Sequence, residues 1–346
     1  MYTEDFDLSY DLTIVVPTHN RRDLLRDGVA SLRRQSFPVD RYEIVAVSDG
    51  STDGTDEEYA TPLASPATRL VRQEKRGLSA ARNLGLHHAQ GRLVMFVDDD
   101  MVADEKLAEM HVDAHARFDE HVAVRGRVKP ASDLPDTAFC RIVIGDICGV
   151  YEAHADRARF VTFERALSWQ TSFKKSELER LGGYDETFRL YGWEDIEFAY
   201  RASQQGLRFY YEPRAISLHR DQRNTLPTHG QRLRNASRMA PFMFARHPEI
   251  RATIPMYADK EPIDWKHDHP RLIAKKAARQ LLATRPLMQF LEGVTPLVER
   301  ATTSEKFLRR WYYGLLGSYV LLGYREGLTG ASGSGHSEMR PSRSSA

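Results

Sequence analysis

Leu93-Val94-Met95-Phe96-Val97-Asp98-Asp99-Asp100 decides how this chain is read. Five apolar residues, two of them β-branched, stop at three consecutive carboxylates. A short apolar run of this kind reads as a buried strand of a parallel sheet. In open α/β sheets, ligands bind just beyond the carboxyl ends of such strands. Three adjacent carboxylates repel one another unless a cation or solvent compensates them. Hard oxygen ligands suit Mg²⁺ or Mn²⁺, and those ions suit phosphates. The plainer reading is a polar turn whose Asp caps a helix starting near Asp104.

Strand and helix patterns alternate on both sides of this run. Residues 12–16 and 42–47 read as strands with a helix over 21–35 between them, and 69–71 as a short strand. Residues 78–89 read as a helix ended by Gly91. A further helix is expected over 104–118 and a strand over 121–128. Alternation at this spacing predicts a parallel, doubly wound sheet. The pattern weakens over 130–165, which reads as an insertion. It returns with a strand over 168–173, helices over 175–181 and 194–205, and short strands over 208–211 and 215–218. Residues 226–325 are almost wholly helical, punctuated by Pro241, Pro248, Pro255, Pro270, Pro286 and Pro296. From Thr329 the chain is rich in Ser and Gly and is expected to be disordered.

A chain of 346 residues accommodates one large α/β domain with a helical appendage, or two domains. Hydrophobic residues at 41% and charged residues at 28% describe an ordinary globular protein. A formal net charge of +1 gives no electrostatic footprint for nucleic acid. Cys140 and Cys148 are too few for a disulfide framework and form no Cys-x-x-Cys, so a reducing cytoplasm is the expectation. The acidic start Met1-Tyr2-Thr3-Glu4-Asp5-Phe6-Asp7 lacks the apolar core of a signal peptide. No apolar stretch approaches the about 20 residues that span a bilayer. The nearest, over 311–324, is uncharged and flanked by Arg309-Arg310 and Arg325. It reads as a packed terminal helix or as an interfacial helix lying on the inner face of a membrane.

Four further constellations carry chemistry. Val47-Ser48-Asp49-Gly50-Ser51 follows a strand, so Asp49 belongs on the same sheet edge as Asp98. Its carboxylate can accept from a ribose hydroxyl or a base N–H, although Asp-Gly is also an ordinary turn. Lys75-Arg76-Gly77-Leu78-Ser79-Ala80-Ala81-Arg82-Asn83 opens a helix, and Arg82 can pair with the acidic cluster or with a diphosphate. Gly182-Gly183-Tyr184-Asp185-Glu186 precedes Tyr191-Gly192-Trp193-Glu194-Asp195-Ile196-Glu197. Glu194 and Asp195 are ordinary N-terminal helix charges or include a general base. Neighbouring helix residues point about 100° apart, so the two cannot face one atom alike. Trp193 offers a flat apolar face that suits a sugar ring. His219 ends a strand and is a competent Mn²⁺ ligand. His111 and His115 lack the Glu of a zinc-protease motif. No Gly-x-Ser-x-Gly, phosphate-binding Gly-x-x-x-x-Gly-Lys or Gly-x-Gly-x-x-Gly pattern occurs.

In their order, Val15-Val16-Pro17-Thr18-His19-Asn20, Ser48-Asp49-Gly50-Ser51-Thr52-Asp53, Gly77-Leu78-Ser79-Ala80-Ala81-Arg82-Asn83, Phe96-Val97-Asp98-Asp99-Asp100, Gly192-Trp193-Glu194-Asp195-Ile196-Glu197 and His219 resemble a family 2 glycosyltransferase of the GT-A fold. The resemblance covers residues 10–220. The stretch from Gly182 to Asp195 also resembles galactosyl- and N-acetylgalactosaminyltransferase-like and chondroitin-polymerase-like domains. It implies a Rossmann-like, mostly parallel sheet flanked by helices. Residues 10–128 would form a nucleotide-binding half and 129–220 an acceptor and catalytic half. A helical region over 221–328 and a tail over 329–346 would follow.

The implied activity is inverting transfer of a sugar from a nucleotide diphosphate donor, UDP by family habit, to a hydroxyl of a carbohydrate or glycoconjugate acceptor. Pro17, Thr18 and Asn20 would line the nucleotide pocket, Asp49 would hold the nucleoside, and Arg82 would lie on the nucleotide side. Asp98 and Asp100 match the Asp-x-Asp motif for ribose and metal (Mn²⁺ or Mg²⁺), with Asp100 as direct ligand and His219 as a further one. Asp99 would meet the donor sugar or Arg82. Asp195 matches the catalytic base, and Glu194 with Trp193 the acceptor or sugar contacts. The helical region would shape the acceptor site and bring the chain to a membrane. Two alternatives stay open. A sugar-1-phosphate nucleotidyltransferase would want glycines after the first strand, where Pro17-Thr18-His19-Asn20-Arg21 has none. A non-catalytic nucleotide-sugar-binding domain would tolerate loss of acids that are intact here.

Overall fold

The acid-terminated apolar run is a strand, Gly91–Val97, with every side chain but Arg92 buried. The computed structural model in which it lies describes residues 10–118, 121–149, 156–166, 169–188, 192–220 and 225–332. Nine strands share one sheet among these residues: β1 (Tyr10–Thr18), β2 (Tyr42–Asp49), β3 (Ala67–Gln73), β4 (Gly91–Val97), β5 (Met101–Ala103), β6 (Val122–Pro130), β7 (Arg159–Val161), β8 (Gln170–Lys174) and β9 (Arg208–His219). Their order is β3-β2-β1-β4-β8-β6-β9-β5, with β7 paired to β9. The first four strands in that order are parallel throughout. β8 then runs antiparallel between β4 and β6, and β9 is parallel to β6.

Alternation within the strands sorts the core into two layers. Leu12, Ile14 and Val16 of β1 join Ile44, Ala46, Leu93, Met95 and Val97 on one face. The helices Arg22–Leu32 and Leu107–His115 cover that face through Leu25, Val29, Leu32, Leu107 and Met110. Val15, Val45, Val47, Val94 and Phe96 point the other way. There the helices Leu78–His88, Lys175–Arg180 and Glu194–Gln204 cover them through Ala81, Leu86, Leu178 and Phe198. Burial on both faces explains why β1, β2 and β4 read as nearly unbroken apolar runs.

Three local expectations change. The helix expected over 104–118 is shorter, Leu107–His115, and at its start the Asp104 N–H donates to the Ile216 carbonyl, continuing the pairing of Met101–Ala103 with β9. The two strands expected over 208–218 are one strand whose register shifts opposite Gly126 and Arg127. Pro213 has no N–H for a ladder, and the irregularity absorbs it. Within 130–165, a wide-turn helix over Cys140–Ile144 and a helix over Gly145–Gly149 appear. Ser168 of the expected strand lies outside the described residues.

The chain divides into two units. The sheet unit takes Met1–Leu134, Ile147–Arg189 and Glu194–Asp221. The helical unit takes Pro135–Asp146, Leu190–Trp193 and Gln222–Ala346, so it also claims two short segments that interrupt the sheet unit in sequence. Its main helices are Leu226–Ser237, Ala240–Arg246, Pro270–Leu282, Arg285–Ala301 and Glu305–Ser332. Pro241, Pro270 and Pro286 stand in first turns, where the missing N–H costs nothing. Pro296, expected to break the chain, lies inside Arg285–Ala301. Packing overrides it: the neighbouring Thr295 is buried and accepts the Trp311 indole N–H at 3.0 Å.

The stretch 311–324 is the packed helix of the two readings. Tyr312, Leu315, Leu316, Tyr319, Val320, Leu321 and Tyr324 are all buried. Gly323 lets this helix touch Leu226–Ser237, for a Cβ there would meet the Arg234 carbonyl at 2.0 Å. The helix continues through Thr329 to Ser332, past the expected start of the tail, and residues 333–346 lie outside the described residues. No helix among the described residues is long and apolar enough to cross a membrane.

Gly85 sets how closely the helix Leu78–His88 lies on β1 and β2. A Cβ there would fall 2.2 Å from Val15 Cγ1 and 3.2 Å from Val47 Cγ2. Gly85→Ala is therefore expected to lower the unfolding free energy by about 1–3 kcal/mol. Urea denaturation with an unchanged m-value would register the loss, and unchanged stability would show that the strands yield without strain.

Candidate functional site

Parallel strands deliver their carboxyl ends to one edge, and that edge collects the polar residues. β1 ends at Pro17 and Thr18, which are in register with Val47 and Ser48 of β2. The next turn passes through Asn20 in the left-handed region (φ +53°), a conformation Asn tolerates. Asn20 stitches the two loops together. Its N–H donates to Ser51 Oγ at 3.1 Å, and its Oδ1 accepts from the Thr52 N–H at 2.7 Å. His19 donates from Nδ1 to the Asp49 carbonyl at 2.8 Å, leaving Nε2 to accept from Lys75 at 2.8 Å.

Asp49 is buried at the end of β2 and is well held. Oδ1 accepts from Gln73 Nε2 and from the Arg76 N–H, both at 2.7 Å, and Oδ2 from the Gly77 N–H at 2.9 Å. The carboxylate thus ties β2 to the start of the helix Leu78–His88. A carboxylate has about four acceptor positions, so Oδ2 keeps capacity for one more donor.

The three carboxylates after β4 part ways. Asp99 turns toward β1, accepting from Thr18 Oγ1 at 2.7 Å and Arg21 at 2.8 Å. Asp100 also accepts from Arg21, at 3.1 Å, while its other oxygen stands 3.5 Å from His219 Nε2. Both Asp100 and His219 are buried, and Trp169 stacks on the His219 ring with centroids 5.5 Å apart. Asp98 takes the opposite direction, toward Arg82 at 3.3 Å. The expected Asp99–Arg82 contact is therefore corrected. Consecutive side chains diverge as the chain leaves a strand, and Asp98 is the one that faces the helix.

Arg82 is a fully buried guanidinium between two acids. It donates to Asp98 and, at 3.2 Å, to Glu194, and lies 5.1 Å over the Tyr184 ring. Asn83 fixes the loop that brings Tyr184, donating to the Tyr184 carbonyl and accepting from its N–H, both at 2.9 Å. Burial opposes the charge on Arg82, but Tyr184, Asp98, Glu194 and Asp195 outweigh it and hold the proton more tightly than usual. Burial likewise opposes the charge on Arg21, and Asp99 and Asp100 prevail. Glu194 is pushed up to about 7, chiefly by burial and then by the charge of Asp195. Its Oε2 is buried with no hydrogen-bond partner among the described residues. Asp98 and Asp99 are raised too, first by burial.

Glu194 and Asp195 open the helix Glu194–Gln204, and the backbone separates them as expected: Glu194 is buried against Arg82, Asp195 half-exposed. Asp195 Oδ1 accepts from the Ile196 N–H at 2.8 Å. Trp193 departs from expectation. It presents no open face but lies in the core of the helical unit against Phe244 and Tyr257, its indole N–H donating to the Ala236 carbonyl at 3.0 Å. This anchoring holds Trp193 at φ +80°, a strained value for a bulky residue. Tyr191 lies outside the described residues.

No three His, Cys, Asp or Glu side chains among the described residues are gathered as a bound metal would need. The expected trio of Asp98, Asp100 and His219 is thus reduced to the pair Asp100 and His219, because Arg82 draws Asp98 aside. The pair still fits a hard divalent cation in part, with one carboxylate oxygen and one ring nitrogen converging at a sheet edge. Such ions keep waters and substrate phosphates and need only one or two protein ligands. Arg21, Gln73, Lys75 and Trp169 were not anticipated. For Arg21 a signal existed: three adjacent carboxylates demand a cation, and Arg21 directly follows the motif at the end of β1.

Comparison with known proteins finds sugar transferases. The model of glycosyl transferase family 2 matches residues 13–179, and that of the N-terminal domain of galactosyltransferase matches residues 165–222. Validoxylamine A glucosyltransferase of Streptomyces hygroscopicus is 28% identical over 221 residues, covering 57% of this chain and 52% of its own. Chondroitin synthase of Escherichia coli is 27% identical over 240 residues, covering 61% of this chain and 34% of its own. The chain thus spans about half or less of the length of these relatives. A mannosyltransferase of Pyrobaculum calidifontis, solved with GDP-Man and Mn²⁺, shares the fold at a TM-score of 0.57 and 22% identity, over 92% of this chain and 89% of that one.

The raised Glu194 carboxyl makes a prediction about stability. Its ordinary value is 4.5 and its folded value about 7. The folded protein therefore keeps a proton that the unfolded chain releases between those values. The associated stabilisation is complete below 4.5 and disappears as pH rises through about 7. The unfolding free energy of the wild type minus that of Glu194→Gln is expected to fall across this window. Denaturation at a series of pH values would measure it, and a difference that stays level would mean that Glu194 titrates normally.

Proposed function

We propose that this chain, which carries a glycosyl transferase family 2 domain over residues 13–179, moves a sugar from a nucleoside diphosphate donor to a hydroxyl of a carbohydrate or glycoconjugate acceptor, with inversion. The observation that supports this most is the sorting of acids along one sheet edge. Asp49, the Asp100–His219 pair and the Arg82-bound pair Asp98 and Glu194 occupy it together, and Asp195 stands beside them at a helix start.

Each residue has a role that its surroundings favour. Asp49, immobilised by Gln73, Arg76 and Gly77, has acceptor capacity left on Oδ2 for a base or ribose donor. Pro17, Thr18 and Asn20 form the neighbouring wall of the nucleotide pocket. Asp100 and His219, with Asp98 nearby, would hold Mn²⁺ or Mg²⁺, which when bound neutralises the diphosphate leaving group. Arg21 and Arg82 hold the surrounding carboxylates in place, and either guanidinium suits a phosphate oxygen. Asp195 is the reachable acid and takes the proton of the attacking hydroxyl. The first turn of its helix favours the ionised form that a base requires. Glu194 is buried and positions Arg82, beside the acceptor rather than at the reacting hydroxyl. The developing positive charge at the anomeric carbon would be stabilised by these carboxylates, as in glycoside hydrolysis. UDP is the favoured carrier, and the Mn²⁺-bound GDP-Man relative keeps guanosine in the comparison.

Two measurements test the reading. Asp195→Asn is expected to lower kcat by about 10²–10⁴-fold, the usual contribution of a general base, while donor affinity stays at the wild-type level. A fully active variant would remove Asp195 as the base. Calorimetry with a panel of nucleotide sugars, in Mn²⁺, Mg²⁺ or chelator, should find a donor whose binding requires metal and weakens in Asp100→Ala. Failure of every nucleotide sugar to bind would end the transferase reading.

A further inference from the structure

The helix Arg285–Ala301 has one face inside the helical unit and one face bare. Met288 and Thr295 are buried, whereas Phe290 is 64% exposed and Leu297 is 62% exposed. These two lie seven residues apart and so share a face. Pro286, four residues before Phe290, and Gly293, four before Leu297, are exposed on the same stripe. A 62–64% exposure of two large apolar side chains on one helix is a patch rather than scattered surface.

The charges of this helix are sorted as well. Its acids, Glu292 and Glu299, turn inward and accept from the Tyr319 and Tyr312 hydroxyls, each at 2.5 Å. Its bases, Arg285 and Arg300, are exposed, and among the described residues neither is paired with an acid. The bare face is thus apolar along its centre and purely basic at its margin. That combination complements an anionic lipid surface, where apolar side chains enter the headgroup boundary and arginines meet phosphates. A second copy of the chain is a poorer partner. A self-complementary contact brings Arg300 toward its own equivalent, with no exposed acid on the helix to receive it.

We propose that Arg285–Ala301 seats this protein on an anionic membrane surface through Phe290 and Leu297, with Arg285 and Arg300 gripping headgroup phosphates. The contact is placed on this helix because its two large apolar side chains are more exposed than any on Glu305–Ser332, where Phe307 is 49% exposed and Tyr312, Leu315, Leu316, Tyr319, Val320, Leu321 and Tyr324 pack inward. It goes beyond the transfer reaction and does not depend on it.

The test is co-sedimentation of the full chain with phosphatidylcholine vesicles, with and without about a third phosphatidylglycerol. The protein is expected to pellet with the anionic vesicles, less so as salt rises, and to stay in solution with phosphatidylcholine alone. Phe290→Asp with Leu297→Asp should lower the bound fraction about tenfold or more, and so should Arg285→Glu with Arg300→Glu. All four positions are exposed, and an unchanged Tm in each double variant would show intact folding. Absence of wild-type binding to anionic vesicles, or binding at the wild-type level by either double variant, overturns the proposal. So does a wild-type dimer in sedimentation velocity that Phe290→Asp with Leu297→Asp dissolves, which would assign the face to a second copy.

Discussion

Crowded negative charge at the end of β4 is the constraint around which the sheet unit is arranged. Asp98, Asp99 and Asp100 follow one another without a spacer, and Glu194 joins them from another helix. Like charges a few ångströms apart in a poorly solvated place cost several kcal/mol unless they are compensated. Two guanidinium groups do so from opposite sides. Arg21 reaches Asp99 and Asp100 from the β1 loop, and Arg82 reaches Asp98 and Glu194 from the helix Leu78–His88. Two cations against four acids leave an imbalance, which protonation of Glu194 relieves in part and a divalent cation would relieve further. Much of the neighbouring architecture serves to place these two arginines. Gly85 lets the Arg82 helix rest directly on β1 and β2, Asn83 secures the Tyr184 loop beneath it, and Asn20 closes the turn from which Arg21 departs.

The same crowding separates the two acids that open the helix Glu194–Gln204. They are adjacent in sequence but differ in surroundings. Glu194 is sealed against Arg82 and keeps its proton to a higher pH than an ordinary carboxyl, whereas Asp195 faces partly outward. Pairs of carboxyl groups whose environments push their proton affinities apart are a recurrent way to assign different tasks to similar chemistry. Helix geometry makes the division possible, since successive residues diverge by about 100°, and burial of Glu194 completes it.

What could be read without coordinates follows from periodicity. Strands buried on both faces are apolar throughout, so β1, β2 and β4 were legible, and parallel pairing brings their ends to one edge. Asp49, Asp98 and His219 could therefore be placed together. The rest depended on contacts between distant segments. That β8 runs antiparallel beside β4 is a matter of chain path, to which periodicity is blind. Which of three consecutive aspartates meets Arg82 depends on a turn. Trp193 looked like a sugar platform because indole suits both a ligand and a core, and only its packing against Phe244 and Tyr257 decides between them. Pro296 shows the converse error, for a residue that disfavours a helix interior was overruled by the burial of its neighbours.

The helical unit is assembled from three separate stretches of chain, and this limits how such a protein can change over generations. A terminal appendage can be lost or exchanged by one recombination event. This unit cannot, because its core is shared across the gene. Phe139, encoded near the middle, packs on Tyr312, encoded near the end, and Trp193 packs on Phe244 and Tyr257. A truncation after residue 221 would expose those aromatic rings instead of leaving a tidy enzyme. Descendants of this chain must therefore diversify the helical unit one substitution at a time, in step with two short segments inserted into the sheet-bearing half.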